Sequence, residues 1–233
     1  MTTTCRWRSI ATTGAALAAL FTTCAATPAP AAVAAPERPA ATAHTAATPL
    51  DLPEPSPAAV ARDELTTLTV AEPHSMDGYS RAKFPHWIRQ YGKCDTREVV
   101  LARDGKDVKQ DEECRAISGT WYSPYDGKTV DAASGIDIDH IDPLANAWRS
   151  GADEWTTERR REFANDLTHP QLIAVSASSN RQKGDQSPDQ WRPRLAYWCT
   201  YARAWVDVKY LYRLNITEPE RAALEVMLDT CQP

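Results

Sequence analysis

The chain has 233 residues, enough for one domain of ordinary size, and its 42% hydrophobic and 24% charged content is that of a soluble globular protein. With 26 Lys and Arg against 31 Asp and Glu it is not a basic, phosphate-coating protein, so any handling of nucleic acid must pass through a local site. No stretch after residue 35 stays apolar for 18 residues, which argues against a membrane-spanning helix there.

Arg6 and Arg8 precede a short apolar run from Ile10 to Phe21, and Ala32-Val33-Ala34 offers a cleavage site. This pattern predicts a signal peptide over residues 1–35 and a secreted, extracellular product. Cys24 faintly matches a lipoprotein box, but Phe21 and Thr23 fit it poorly, so soluble secretion is preferred over a lipid anchor. Eight of the 17 prolines fall within residues 25–61, amid Ala and Thr. We read residues 36–65 as a disordered linker and residues 66–233 as the folded domain, beginning between Asp63 and Tyr79.

Phe84, Trp87, Ile88 and Tyr91 recur at three and four, which predicts a helix over residues 79–91. A second short helix is predicted over 96–103 and a β-hairpin within 118–130, where Ser-Pro and Asp-Gly signal turns. Residues 136–141 alternate apolar and polar, the pattern of a half-buried strand. Helices are predicted over 144–149 and 157–167, a strand over 172–175, and a small helix over 176–183 closed by Gly184. From Pro193 a long helix carries a stripe of Leu195, Trp198, Ala202, Trp205 and Lys209, the last covering apolar surface with its stem. Thr217-Glu218-Pro219-Glu220 is a capping box that opens a final helix.

Four cysteines lie beyond the signal region, Cys94, Cys114, Cys199 and Cys231, and an even number in an exported chain predicts two disulfides. Cys199 and Cys231 each sit roughly 20 Å of helix from the turn between the last two helices, so they meet at one end of an antiparallel hairpin. That leaves Cys94 with Cys114.

The chemistry gathers in Asp139-His140-Ile141-Asp142-Pro143, in the strand from Gln171, and in Ser179-Asn180-Arg181-Gln182-Lys183-Gly184-Asp185. Strand, connection, strand, helix is a ββα order. Phosphodiester cleavage needs a base to activate water and a cation to take charge on the leaving oxygen. A neutral His140 can accept water's proton. Asp139 offers a hard anionic oxygen to a divalent ion and Asn180 a neutral amide oxygen. Neighbours on a regular strand point to opposite faces, so Asp139 and His140 should lie where the pleat breaks down, just before Pro143.

Asp-Ile-Asp-His-Ile-x-Pro-Leu followed by Asn-Arg-x-Lys-Gly-Asp resembles the HNH endonuclease superfamily, and more closely exported bacterial proteins related to the nuclease part of GmrSD-type restriction enzymes. The likeness runs from about Tyr79 to Leu224. It takes in Cys94-Asp95-Thr96-Arg97, Gly119-Thr120-Trp121-Tyr122-Ser123-Pro124-Tyr125, Trp148-Arg149-Ser150-Gly151-Ala152, Phe163-Ala164-Asn165-Asp166-Leu167 and Trp198-Cys199-x-Tyr201. The resemblance implies an α+β fold with a small ββα-metal core over about 136–185, helical insertions and a C-terminal antiparallel helical hairpin. It implies His140 as general base, with Asp139 and Asn180 as ligands of one divalent ion, Mg²⁺ first and Mn²⁺ second. The motif's middle Asn falls at Gln171, a departure, with Asn165 as a rival for orienting His140. Lys183 and Arg181 are expected to contact substrate phosphate, and Asp137 to support the ligands. The implied substrate is DNA rather than RNA, cut with little sequence preference by a monomer.

The rival reading is an exported binding protein on the same scaffold, silent because Gln171 misorients His140. A peptidase has no H-E-x-x-H or G-x-S-x-G element in its favour. Arg159-Arg160-Arg161 reads as a solvated helix face, and His44, His74, His86 and His169 as structural or exposed.

Overall fold

A computed structural model describes residues 52–232; the expected signal peptide, Cys24 and most of the expected linker lie outside them. The fold is mixed α+β. Helix α1 (Ala58–Thr67) comes first. A two-stranded ribbon of β1 (Arg89–Tyr91) and β2 (Cys94–Asp95) leads into α2 (Thr96–Asp104), whose N-cap Asp95 accepts a hydrogen bond from the Glu98 amide at 2.9 Å. Then come β3 (Gly105–Gln110), β4 (Ala116–Ser123) and β5 (Lys128–Val130), paired in that order as an antiparallel sheet.

The element that positions the site follows. Strand β6 (Ile136–His140) leads through α3 (Leu144–Arg149) and α4 (Thr157–Ala164) to β7 (Leu172–Ser176), and α5 (Ala177–Lys183) leaves directly from the end of β7. Strands β6 and β7 pair antiparallel without a bulge, from Ile136 opposite Ser176 to His140 opposite Leu172. One face of this ribbon, with Ile136, Ile138, Leu172 and Ala174, packs on Val100, Leu101 and Trp121. The other, with Ile173 and Val175, packs on Tyr201 and Trp205 of α6 (Trp198–Tyr212). Both faces are therefore covered, where the alternation in β6 suggested a half-buried strand. Ser176 caps α5, and Gly184 ends it at φ +55°. The last helix, α7 (Glu218–Leu228), opens with the expected capping box of Thr217 and Glu220. Among the described residues no helix is long and apolar enough to cross a membrane.

Three expectations are corrected and one strand is added. Residues 79–91 form no α-helix: a 3-10 turn at Arg81–Lys83 and strand β1 take its place. Pro85 lacks an amide donor and Trp87 sits at φ +56°, so the apolar spacing reflects burial of Phe84 and Trp87 from an irregular loop. The fold begins before Asp63, because Ala61 and Leu65 of α1 are buried in the core shared with α6, and the expected linker end at residue 65 is displaced. Strand β3 went unpredicted, since Gly-Lys-Asp-Val-Lys-Gln holds one large apolar residue; Gly105 is needed there because a Cβ would lie 2.5 Å from Trp121 Nε1. In α6, Leu195 lies outside the helix and exposed, whereas Lys209 is wholly buried.

Both predicted disulfides are present, Cys94–Cys114 and Cys199–Cys231. The second closes 32 residues of chain and ties the foot of α6 to the end of the C-terminal hairpin. In the chain-entropy account a loop of that length stabilises by about 3–4 kcal/mol. Replacing both Cys199 and Cys231 with Ala is expected to lower the unfolding free energy by that amount, with a steeper urea slope because the unfolded chain is no longer cross-linked, and a loss under about 1 kcal/mol would contradict this account.

Candidate active site

A cavity of about 270 Å³ opens at the end of the β6–β7 ribbon, and its lining includes Asp139, His140, Asn180, Arg81 and Arg181. The three residues expected to work together therefore share one cavity. They do so although β6 keeps its pleat through His140, contrary to the expected break. His140 lies on the Leu172 side of the strand and Asp139 on the Ile173 side. The cavity reaches both because it lies at the strand's end.

His140 is buried, with Nε2 3.0 Å from the carbonyl oxygen of Ala164. A carbonyl only accepts, so Nε2 carries the hydrogen and Nδ1 of the neutral ring keeps its lone pair. Burial pushes the imidazole pKa down to about 3, helped by the positive charges of Arg81 and Lys183 and opposed by the Ala164 bond. The Trp87 ring lies 5.6 Å from the imidazole, tilted by 31°.

Asp139 is also buried. Lys183 Nζ lies 3.0 Å from one carboxylate oxygen and 2.9 Å from the other, and the Tyr125 hydroxyl donates at 2.6 Å. Burial raises the Asp139 carboxyl and lowers the Lys183 ammonium, each against the pull of its partner. Three contacts leave at least one lone pair of the carboxylate for a further partner. Lys183 also donates to the His140 carbonyl at 2.7 Å. It is wholly buried and points inward from α5, so the expected phosphate contact is corrected: its ammonium holds Asp139 from behind.

Asn180 directs Nδ2 to Asp137 at 3.3 Å, which leaves its amide oxygen as the opposite end. Arg181 Nε is 3.7 Å from the same Asp137, and its side chain is 76% exposed, so it remains able to meet a phosphate at the cavity mouth. Gln171 is wholly buried and does not orient His140. Its amide accepts from the Asp142 N–H at 3.1 Å and donates to the Asp142 carbonyl at 3.0 Å, pinning the turn just after His140. The rival Asn165 does not bond His140 either; it bonds the backbone at Pro85 and Ile88. The group that sets the imidazole is the carbonyl of its neighbour Ala164. A backbone acceptor leaves no trace in residue identity, and Tyr125, Trp87 and Arg81 come from distant segments with no shared motif.

Asp142 sits beneath the site, wholly buried. Neither oxygen has a hydrogen-bond partner among the described residues, and Lys209 Nζ stands 3.9 Å away. Burial raises its pKa to about 7, with Lys209 pulling down and Glu220 pushing up. A carboxyl with a raised folded-state pKa leaves stability intact below its unfolded value and removes it as pH rises toward 7. Asp142→Asn is therefore expected to gain stability over the parent between about pH 4 and pH 7, by up to about 4 kcal/mol. Equal urea midpoints for the two proteins at pH 4 and pH 8 would refute this.

Residues 95–225 match the family described as GmrSD restriction endonucleases, C-terminal domain. A protein of the fungus Arthroderma benhamiae, bearing the name uncharacterized secreted protein, is 54% identical over 189 residues, which cover 79% of this chain and 93% of that protein. The likeness read from the sequence had pointed to bacterial proteins. No solved structure matches the chain.

Proposed function

Because the chain belongs to the family of GmrSD restriction endonuclease C-terminal domains, we propose that it is a secreted, metal-dependent nuclease of the HNH type, with β6, β7 and α5 as its ββα-metal core. The observation that carries the reading is His140: its tautomer is set by the Ala164 carbonyl, and it shares a cavity with a carboxylate and a carboxamide. In this role His140 Nδ1 takes the proton of the attacking water. Arg181 and Arg81 at the cavity wall contact the substrate phosphate. Export is supported by the N-terminal pattern and by the secreted relative. DNA is preferred to RNA on the family's own name.

The donor set fits a hard divalent ion. No group of three or more His, Cys, Asp and Glu side chains that could hold a metal occurs among the described residues, which disfavours a closed zinc site. Asp139 and the Asn180 oxygen would instead hold one Mg²⁺, or Mn²⁺, with water and phosphate completing its shell. Such an ion supplies charge stabilisation at the leaving oxygen. The silent-scaffold alternative draws on one observation: His140 and Asp139 are only 4% and 5% exposed, so substrate must enter the cavity to reach them.

Supercoiled plasmid with oxidised protein and Mg²⁺ decides between them. Nicking is expected, abolished by EDTA and restored by excess Mg²⁺. Absence of nicking with both Mg²⁺ and Mn²⁺, or nicking that survives EDTA, would overturn the proposal.

A further inference from the structure

Trp87 adopts φ +56°, a left-handed backbone that a bulky residue enters only when its surroundings impose it. The surroundings here are specific. Asn165 donates from Nδ2 to the Pro85 carbonyl at 2.8 Å and accepts at Oδ1 from the Ile88 amide at 3.1 Å. Its one amide thus spans the backbone on both sides of Trp87. The Thr96 hydroxyl donates to the same Oδ1 at 2.7 Å, and the Thr96 amide bonds the Ile88 carbonyl at 3.0 Å, so α2 braces the loop as well. The indole emerging from this brace lies 5.6 Å from the His140 ring, and His86 meets its other side edge-on at 5.4 Å. His86 is itself fixed, with Nδ1 bonded to the Phe84 carbonyl and Nε2 accepting from Arg81.

Two consecutive residues at the end of α4 therefore hold the imidazole. Ala164 takes the ring's Nε2–H through its carbonyl, and Asn165 holds the loop that sets the tilted Trp87 indole against the ring. The bond alone leaves the imidazole free to swing about its Nε2–carbonyl axis. The indole removes that freedom and shields the ring from water.

We propose that Trp87 is a positioning residue for His140, held in its left-handed conformation by Asn165 so that the imidazole keeps its orientation at the cavity wall. This rests on His140 being the base, and the test separates the two ideas. Trp87→Gly keeps the left-handed backbone without strain and removes the indole; Trp87→Phe retains a ring. Long-range proton–nitrogen spectra of histidine-labelled protein at neutral pH, with His140 assigned by His140→Gln, read the tautomer without any activity. All three proteins are expected to show the Nε2–H form that the Ala164 bond sets, with sharp ring signals in the parent and Trp87→Phe and exchange-broadened ring signals in Trp87→Gly. In turnover of plasmid, Trp87→Gly is expected to lose at least about tenfold in kcat with little change in KM, and Trp87→Phe to recover most of it. A Trp87→Gly protein whose His140 ring signals stay as sharp as the parent's, or that turns over within about twofold of the parent, overturns the inference. A parent protein that cleaves no phosphodiester defeats the functional reading instead, and the spectra still decide the role of Trp87.

Discussion

His140→Ala is expected to lower kcat on DNA by about 10²–10⁴-fold, the contribution typical of a positioned general base. In barrier height that is about 3–5.5 kcal/mol. The expectation follows from geometry: in the same cavity no second imidazole stands among the lining residues, and of the two carboxylates there Asp139 already faces Lys183 and Tyr125 and Asp185 already bonds Arg149. KM should move little if, as proposed, phosphate is held by Arg181 and Arg81. The substitution also orphans the buried Ala164 carbonyl, a loss of about 1–3 kcal/mol of stability. Turnover must therefore be measured well below the variant's melting temperature, beside a circular dichroism spectrum showing a retained fold. Added imidazole offers a sharper check, because the vacated volume adjoins an existing cavity. Partial recovery by imidazole is expected, and a variant within about tenfold of the parent would remove His140 from the chemistry.

Much of the framework was legible because its causes are local. The capping box at Thr217 and the alternation of β6 both act within a few residues. The Cys199–Cys231 pair followed from helix rise alone. The misreadings share a different cause. Phe84, Trp87, Ile88 and Tyr91 show helical spacing, yet Pro85 and the left-handed Trp87 place Phe84 and Trp87 in separate core clusters from a loop. Lys183 reads as a surface cation of an Asn-Arg-x-Lys helix, and only the arrival of α5 against β6 turns its ammonium onto Asp139. Gln171 was expected to orient His140, yet its amide matches the N–H and carbonyl of Asp142, a residue 29 positions away in the chain. The site's residue types were thus readable, while their partners, being backbone atoms or distant side chains, were not.

The buried lysine under the site gives the largest expected effect on stability. Lys183 is wholly buried and Asp139 nearly so, with contacts at 3.0 and 2.9 Å. Its ammonium also serves the His140 carbonyl and lies 5.9 Å from the Trp205 ring centre. A pair so placed is weak evidence of net stabilisation, since both charges leave water to form it. Removing one partner is another matter, because the remaining charge keeps its desolvation penalty and loses its compensation. Lys183→Met, which keeps the length of the stem, is expected to destabilise by about 3–5 kcal/mol above pH 6, read from urea unfolding. Adding Asp139→Asn to it should recover part of that loss, since an amide carries no charge, and the double-mutant cycle should return a coupling of at least about 1 kcal/mol. The recovered protein should fold and remain without nuclease activity, because the amide cannot replace the carboxylate toward an Mg²⁺ ion. If Lys183→Met instead stays within about 1 kcal/mol of the parent, Asp139 is not held as a buried anion, and its availability to a metal must be argued on other grounds.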